Sequence, residues 1–277
     1  MKLLILGLGY TGRVMAKHMR GLGWAVRGTS RSAEAGLLQY PGSDISATLD
    51  WATHILVSAA PDENGDPFLA GLAADIIKAK PAWLGYLSTT GVYGDHGGAW
   101  VDETTKLTPA TTRGHHRAKA EAQWMALHKS HGLPVHIFRL AGIYGPKRGP
   151  FTKVRNGTAR RIIKENQVFS RIHVEDIAQV LKASIAQPNA GQIYNVCDNL
   201  PAPPEDVIGY AATLLGRPVP PMLDFKTADL TPMARSFYAE SKKVSNARIK
   251  AELGVRLRYP DYKIGLQALL AQERADC

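Results

Sequence analysis

The sequence predicts an α/β fold, a doubly wound parallel sheet with a smaller C-terminal region, and three observations carry that expectation. Short apolar runs alternate with helix-patterned stretches, a glycine-rich turn directly follows the first run, and loop and turn signals thicken after about residue 145.

Taken in order, the apolar runs fall at residues 3–6, 25–26, 55–57, 84–87 and 135–140, each short enough for a strand buried on both faces. Between the third and fourth, Phe68, Leu69, Leu72, Ile76 and Ile77 recur at helical spacing, as a crossover helix requires. Trp124 and Leu127 do the same before His131-Gly132. Tyr86, Trp83 and Trp124 read as packing. Gly-Pro-Lys-Arg-Gly-Pro at 145–150, Asn156-Gly157 and Pro-Ala-Pro-Pro at 201–204 interrupt the pattern. The expected division is therefore 1–145 and 172–198 for the sheet domain, with 172–198 supplying a helix and the last strand. Residues 146–171 and 199–277 form the smaller, substrate-binding region.

The chain of 277 residues has room for one or two domains. Hydrophobic residues make up 45% and charged residues 21%, which excludes collagenous and low-complexity classes. Lys and Arg number 34 against 24 Asp and Glu, a formal +10 that favours anionic ligands without naming one. The cations are spread along the chain with no nucleic-acid reader motif, so no specific nucleic acid is expected. Cys197 and Cys277 lack the clustered spacing of a disulfide framework or zinc site. The short run 3–6 is no secretory h-region, and no later window approaches the roughly 18 apolar residues of a membrane span. A cytoplasmic monomer or homodimer, off the membrane, is the expectation.

Residues 7–12 read Gly7-Leu8-Gly9-Tyr10-Thr11-Gly12, after a strand and before a helical stretch, the context a dinucleotide fingerprint needs. Gly7 permits the tight turn, Gly9 lets a pyrophosphate approach the backbone, and Gly12 allows the helix to pack on the strand. Free amides at the helix start, around Tyr10 and Thr11, then meet the phosphates. Ala59 and Ala60, just past the third strand, are assigned to the same cofactor. A Rossmann-type domain follows.

The second strand ends Gly28-Thr29-Ser30-Arg31, where an NAD-binding chain usually carries a carboxylate for the ribose 2′-hydroxyl. Ser30 and Arg31 can instead donate to a 2′-phosphate, so NADP is expected over NAD. Glu34 lies too far into the next segment to replace the missing acid.

Four later segments resemble the extended short-chain dehydrogenase/reductase family, also called the NAD-dependent epimerase/dehydratase family. They are Leu87-Ser88-Thr89-Thr90-Gly91-Val92-Tyr93-Gly94, Arg139-Leu140-Ala141-Gly142-Ile143-Tyr144-Gly145-Pro146, Ile172-His173-Val174-Glu175-Asp176-Ile177-Ala178, and Tyr194-Asn195-Val196. The resemblance implies a cofactor-binding Rossmann domain, a small C-terminal domain, and a nucleotide-sugar or related polar substrate. It also assigns Thr89, with Thr90 second, to the Ser/Thr that hydrogen-bonds the reacting oxygen.

The family's Tyr-x-x-x-Lys pair, whose tyrosine exchanges the proton, is matched here by Arg113 and Arg117. A guanidinium stays protonated, so Arg113 cannot do the tyrosine's work, although it can clamp an anion and Arg117 can donate to ribose hydroxyls. A solvated basic helix face is the other reading of the two arginines. Lys147, Arg148, Lys153, Arg155, Arg160, Arg161 and Arg171 crowd the substrate-side segment, which points to an acidic or phosphorylated substrate if that segment lines the cleft. For proton exchange the candidates are His115 and His116, then Tyr93, Tyr144 and His173. No zinc-ligand spacing and no Gly-x-Ser-x-Gly elbow is present. Two functions remain: an atypical NADP(H)-binding oxidoreductase or epimerase/dehydratase-like enzyme acting on a small polar, anionic substrate, or a non-catalytic NADP(H)-binding sensor or scaffold.

Overall fold

The run Leu3-Leu4-Ile5-Leu6 is wholly buried and alternates between two apolar clusters, Leu3 and Ile5 in one, Leu4 and Leu6 in the other. That alternation is what a strand covered by helices on both faces produces. It recurs at Leu56 against Ile55 and Val57, and at Phe138 and Leu140 against Val135 and Ile137. A computed structural model describes residues 1–275; Cys277 lies outside the described residues. Among the described residues no helix is long and apolar enough to cross a membrane.

The strands are, in chain order, β1 (Lys2–Leu6), β2 (Ala25–Ser30), β3 (Leu38–Gln39), β4 (His54–Val57), β5 (Trp83–Thr89), β6 (Trp100–Val101) and β7 (Val135–Leu140). They continue with β8 (Gly142–Tyr144), β9 (Arg161–Ile163), β10 (Arg171–His173), β11 (Ile193–Val196), β12 (Met222–Asp224) and β13 (Lys243–Val244). The helices are α1 (Tyr10–Gly21), α2 (Ser46–Trp51), α3 (Leu69–Ala79), α4 (Thr112–His131) and α5 (Pro150–Arg155), then α6 (Val174–Ala186), α7 (Pro204–Leu214), α8 (Pro232–Phe237), α9 (Ala247–Leu253) and α10 (Tyr262–Ala275). Seven parallel strands form the main sheet in the order β11-β7-β5-β4-β1-β2-β3. The order reverses between β1 and β4, the switch point where open α/β sheets bind ligands.

The expected doubly wound sheet is thus present, and 172–198 returns to it as α6 and β11. The seventh strand, β3, has only two residues on the sheet edge, too few for periodicity to reveal. A third apolar cluster, with Phe151, Ala211, Tyr262 and Leu266, forms the core of the smaller region. Residues 243–255, placed by the sequence in that region, behave otherwise. Val244, Ile249, Leu253 and Val255 pack with the sheet-side cluster, because β13 pairs with β6 and α9 returns beneath the sheet.

Two helix ends set the site. Helix α4 starts with the Thr111 side chain accepting from the Gly114 amide, 3.1 Å. A Cβ at Gly114 would lie 2.9 Å from the Gly91 carbonyl oxygen, so the glycine lets the α4 entrance close onto the 3-10 turn at Thr90–Tyr93.

Candidate functional site

The turn after β1 is locked from two sides. Thr29 accepts the Gly7 amide on its hydroxyl, 2.9 Å, and the Leu8 amide on its carbonyl, 2.8 Å. Gly7 adopts φ +85°, and a Cβ there would stand 3.0 Å from the Ala59 nitrogen. Gly12 packs so closely on β1 that a Cβ would lie 3.1 Å from Ile5. Gly9 differs: nothing lies within 4 Å of its would-be Cβ, and it borders an open cavity. These are three distinct physical demands, and together they leave a bare backbone approach at the N-terminus of α1. That helix has no side-chain cap and no acidic residue in its first turn, so its first amides and dipole face the cavity uncompensated.

The cavity holds about 780 Å³ and runs from Gly9, Tyr10 and Thr11 past Thr89 to the small region. Arg113 and Arg117 line it, joined by Arg148 and Arg171 from the opposite side. Tyr10 crosses toward that side, its hydroxyl donating to the Pro146 carbonyl at 3.0 Å under the Arg148 guanidinium, 5.4 Å from the ring centroid.

Arg117 is half-buried and spans two strand ends. Its Nη1 donates to the carbonyls of Leu87 at 2.5 Å and Ala59 at 3.3 Å, and to the Tyr86 hydroxyl at 3.2 Å. Arg113 is exposed and reaches the small region, donating to the Ser236 hydroxyl at 3.3 Å over the Phe237 ring. Thr89 caps the 3-10 turn by accepting the Gly91 amide, 3.1 Å, which fixes its side chain beside the cavity.

Beneath this wall lies a buried polar network that the sequence reading did not single out. Glu121, on α4, takes two donors of Arg139 and the Ser88 hydroxyl, while Arg139 also donates to the Tyr93 hydroxyl at 2.9 Å. Tyr93 donates in turn to Asn195 at 2.8 Å. Only the apolar β7 context hid Arg139; nothing in the spacing marks its partner.

Other expected residues fall elsewhere. His115, His116 and Tyr93 do not line the cavity, and Tyr93 is fully engaged in the network. Tyr144 lines it, but burial raises its hydroxyl well above the phenol range and it donates to the Asp261 carbonyl. His173 is buried outside the lining, its pKa pushed down to about 4 by loss of solvent, which keeps the ring neutral. Of the seven substrate-side cations, Arg148 and Arg171 reach the cavity. Arg155 pairs with Glu273, Arg160 donates to the Asp229 carbonyl and Arg161 to the Glu205 carbonyl. Ser30, Arg31 and Ala60 are outside the lining, at the open ends of β2 and β4. Glu34 is committed to Arg13, 2.5 Å away on α1.

The model of the NAD dependent epimerase/dehydratase family matches residues 69–197. A conserved protein of unknown function from Silicibacter pomeroyi is 57% identical, with 98% of each chain covered and a TM-score of 0.93. Protein YeeZ of Escherichia coli strain K12 is 29% identical across 94% of this chain and 97% of its own length. A dTDP-glucose 4,6-dehydratase from Bacillus anthracis, in complex with NAD, shares the fold at a TM-score of 0.79 and 20% identity, covering 100% of this chain and 97% of its own. With the glycine turn and the switch-point cavity in one sheet, residues 69–197 match the NAD dependent epimerase/dehydratase family, and the chain as a whole is similar in fold to proteins of that kind.

Proposed function

We propose that this chain is an NADP(H)-dependent, short-chain-type oxidoreductase or epimerase/dehydratase-like enzyme whose substrate is small, polar and anionic. The observation that carries the reading is the convergence of one bare glycine turn and four arginines, Arg113, Arg117, Arg148 and Arg171, on a single cavity. Fixed positive charge around a low-dielectric cleft attracts and holds anions.

The residues present fit a dinucleotide. The amides after Gly9 and the α1 dipole would hold the pyrophosphate, and Arg117 stands beside the Gly7–Ala59 contact where ribose hydroxyls would arrive. The group would supply reversible two-electron chemistry. Ser30 and Arg31 at the end of β2, with Glu34 occupied by Arg13, favour a 2′-phosphate over a bare hydroxyl. Thr89 would donate to the reacting oxygen, and Arg113 would clamp a substrate anion against the Ser236–Phe237 side.

A non-catalytic sensor or scaffold is the second reading, favoured by the way Arg117 is spent on protein oxygens. Incubation with NADPH and panels of carbonyl compounds and nucleotide sugars separates the two. Cofactor oxidation that disappears in Thr89→Val supports the enzyme; tight cofactor binding with no turnover supports the sensor.

A further inference from the structure

The cavity contains few groups able to carry a proton. Among the described residues no histidine lines it, and a guanidinium, as on its arginines, is a poor proton carrier. The hydroxyls of Tyr10 and Tyr144 are donated to the Pro146 and Asp261 carbonyls, and burial pushes both upward, away from neutrality. Tyr262 is raised by burial as well.

Two residues remain, from the segment that leads into β13. Among the described lining residues Glu240 is the one carboxylate and Lys242 the one lysine. The Lys242 ammonium donates to Glu240 Oε2 at 2.7 Å and to the Gly94 carbonyl at 2.6 Å, with the two side chains only 10% and 12% exposed. An ammonium has three N–H bonds, so one is left for a ligand. Glu240 Oε1 is buried without a hydrogen-bond partner, an acceptor whose capacity the protein does not use. The setting is anchored to the reacting wall: Gly94 closes the single 3-10 turn whose opening cap is Thr89. Asp95, next in the chain, accepts the Ser241 amide at 2.8 Å, and its carboxylate faces both Lys242 and Lys164. Lys242 thus has Glu240 and Asp95 as acidic neighbours and shares Asp95 with Lys164.

We propose that Lys242 is the acid–base residue of this cavity and that Glu240 positions it. The proposal rests on the enzymatic reading above. In the reducing direction one N–H bond of the ammonium breaks as an O–H bond forms on the substrate's carbonyl oxygen, and the nitrogen keeps the electron pair. The two electrons and the carbon-bound hydrogen would come from a reduced nicotinamide cofactor, were one bound. The neutral amine regains its proton from water. In the oxidising direction the amine accepts the hydroxyl proton. Glu240 holds the nitrogen at the cavity edge, and Thr89 orients the oxygen.

The test compares wild type with K242M, K242R, E240Q and E240D, using thermal melts to establish folding and calorimetry to measure NADPH affinity. Both Lys242 variants are expected to bind NADPH within about twofold of wild type and to lose roughly 100-fold or more in kcat on the carbonyl and nucleotide-sugar panel, because neither side chain can release a proton. E240Q should lose about tenfold in kcat at similar KM, with E240D recovering most of it. A cofactor-free readout uses acetic anhydride: Lys242 should be acetylated severalfold faster in E240Q than in wild type, since the amine loses the carboxylate that holds it. Wild-type kcat in K242M, or equal acetylation of Lys242 in wild type and E240Q, overturns the assignment and leaves the enzymatic reading standing. Absence of turnover by the wild type, with NADPH bound, removes both.

Discussion

Arg117 donates to the carbonyl of Ala59 at 3.3 Å, and Ala59 is the residue whose backbone touches the glycine turn, 3.0 Å from where a Gly7 Cβ would stand. The arginine on α4 therefore buttresses the glycine turn through the segment just past β4, besides lining the cavity. One side chain couples the end of β5, the end of β4 and the fingerprint.

Arg117→Ala leaves the Leu87 and Ala59 carbonyls and the Tyr86 hydroxyl short of a charged donor. The expected loss is about 1–3 kcal/mol of stability, read from urea denaturation. Arg117→Lys should recover only part of it, because a compact, strongly hydrated ammonium on a flexible stem does not place its donors where Arg117 Nη1 stands.

Gly9→Ala and Gly7→Ala should part company. Gly9 has open space around it, so its alanine variant is expected to fold with a cost of about 1 kcal/mol or less, yet to lose about tenfold or more in NADPH affinity by blocking pyrophosphate approach. Gly7 sits at φ +85° against Ala59, so its variant should cost about 1–2 kcal/mol for backbone conformation alone. Paired melting and titration curves check both.

Glu121→Ala strands the Arg139 guanidinium in the protein interior, where both side chains are at most 5% exposed. Breaking such a pair costs about 3–5 kcal/mol, and the loss of the Ser88 contact should loosen the end of β5 that carries Thr89. Chemical denaturation and proteolysis of the variant test this.

Asp198 supplies a pH signature. Burial raises its pKa from 3.8 to about 7, and one carboxylate oxygen has no partner. A raised folded pKa means the folded state holds the proton more tightly. This contribution to stability is therefore full below the unfolded value near 4 and is lost as pH climbs through about 7. Asp198→Asn should gain stability relative to wild type at pH 8, by up to a few kcal/mol on the order of the shift, with the gain vanishing by about pH 4. His173 works in the opposite sense: its folded pKa near 4 makes the protein lose stability as pH falls from the unfolded value of 6.5. His173→Asn, which keeps an N-cap for α6, should flatten that acid limb.

Arg148 is exposed and rests on the Tyr10 ring. Arg148→Ala should leave stability within about 0.5 kcal/mol, while affinity for anionic ligands of the cavity falls, with a reduced salt dependence. Titrations at two ionic strengths distinguish this from a folding defect.

The sheet was legible wherever a run was long enough to alternate between faces, as at residues 3–6 and 135–140, and the glycine turn was legible because its spacing answers separate demands, a left-handed backbone at Gly7, open approach at Gly9 and close packing at Gly12. β3 escaped because two residues carry no period. The return of 243–255 to the sheet escaped because Val244, Ile249 and Leu253 show that a segment is apolar but not which core receives it. Thr89, Arg113 and Arg117, named from local motifs, line the cavity. Lys242 and Glu240 reach the cavity only through chain return, and Arg171, which also donates to protein carbonyls, differs from Arg155 and Arg161 in lining the cavity. Long-range pairing such as Glu121 with Arg139 leaves no local trace.

Calorimetric titration of the purified protein with NADPH and, separately, NADH tests the central claim most directly. The expected result is saturable one-site binding of NADPH, weaker binding of NADH, and a large loss of both in Gly9→Ala. No binding heat with either cofactor would contradict the claim that the turn after β1 grips a dinucleotide.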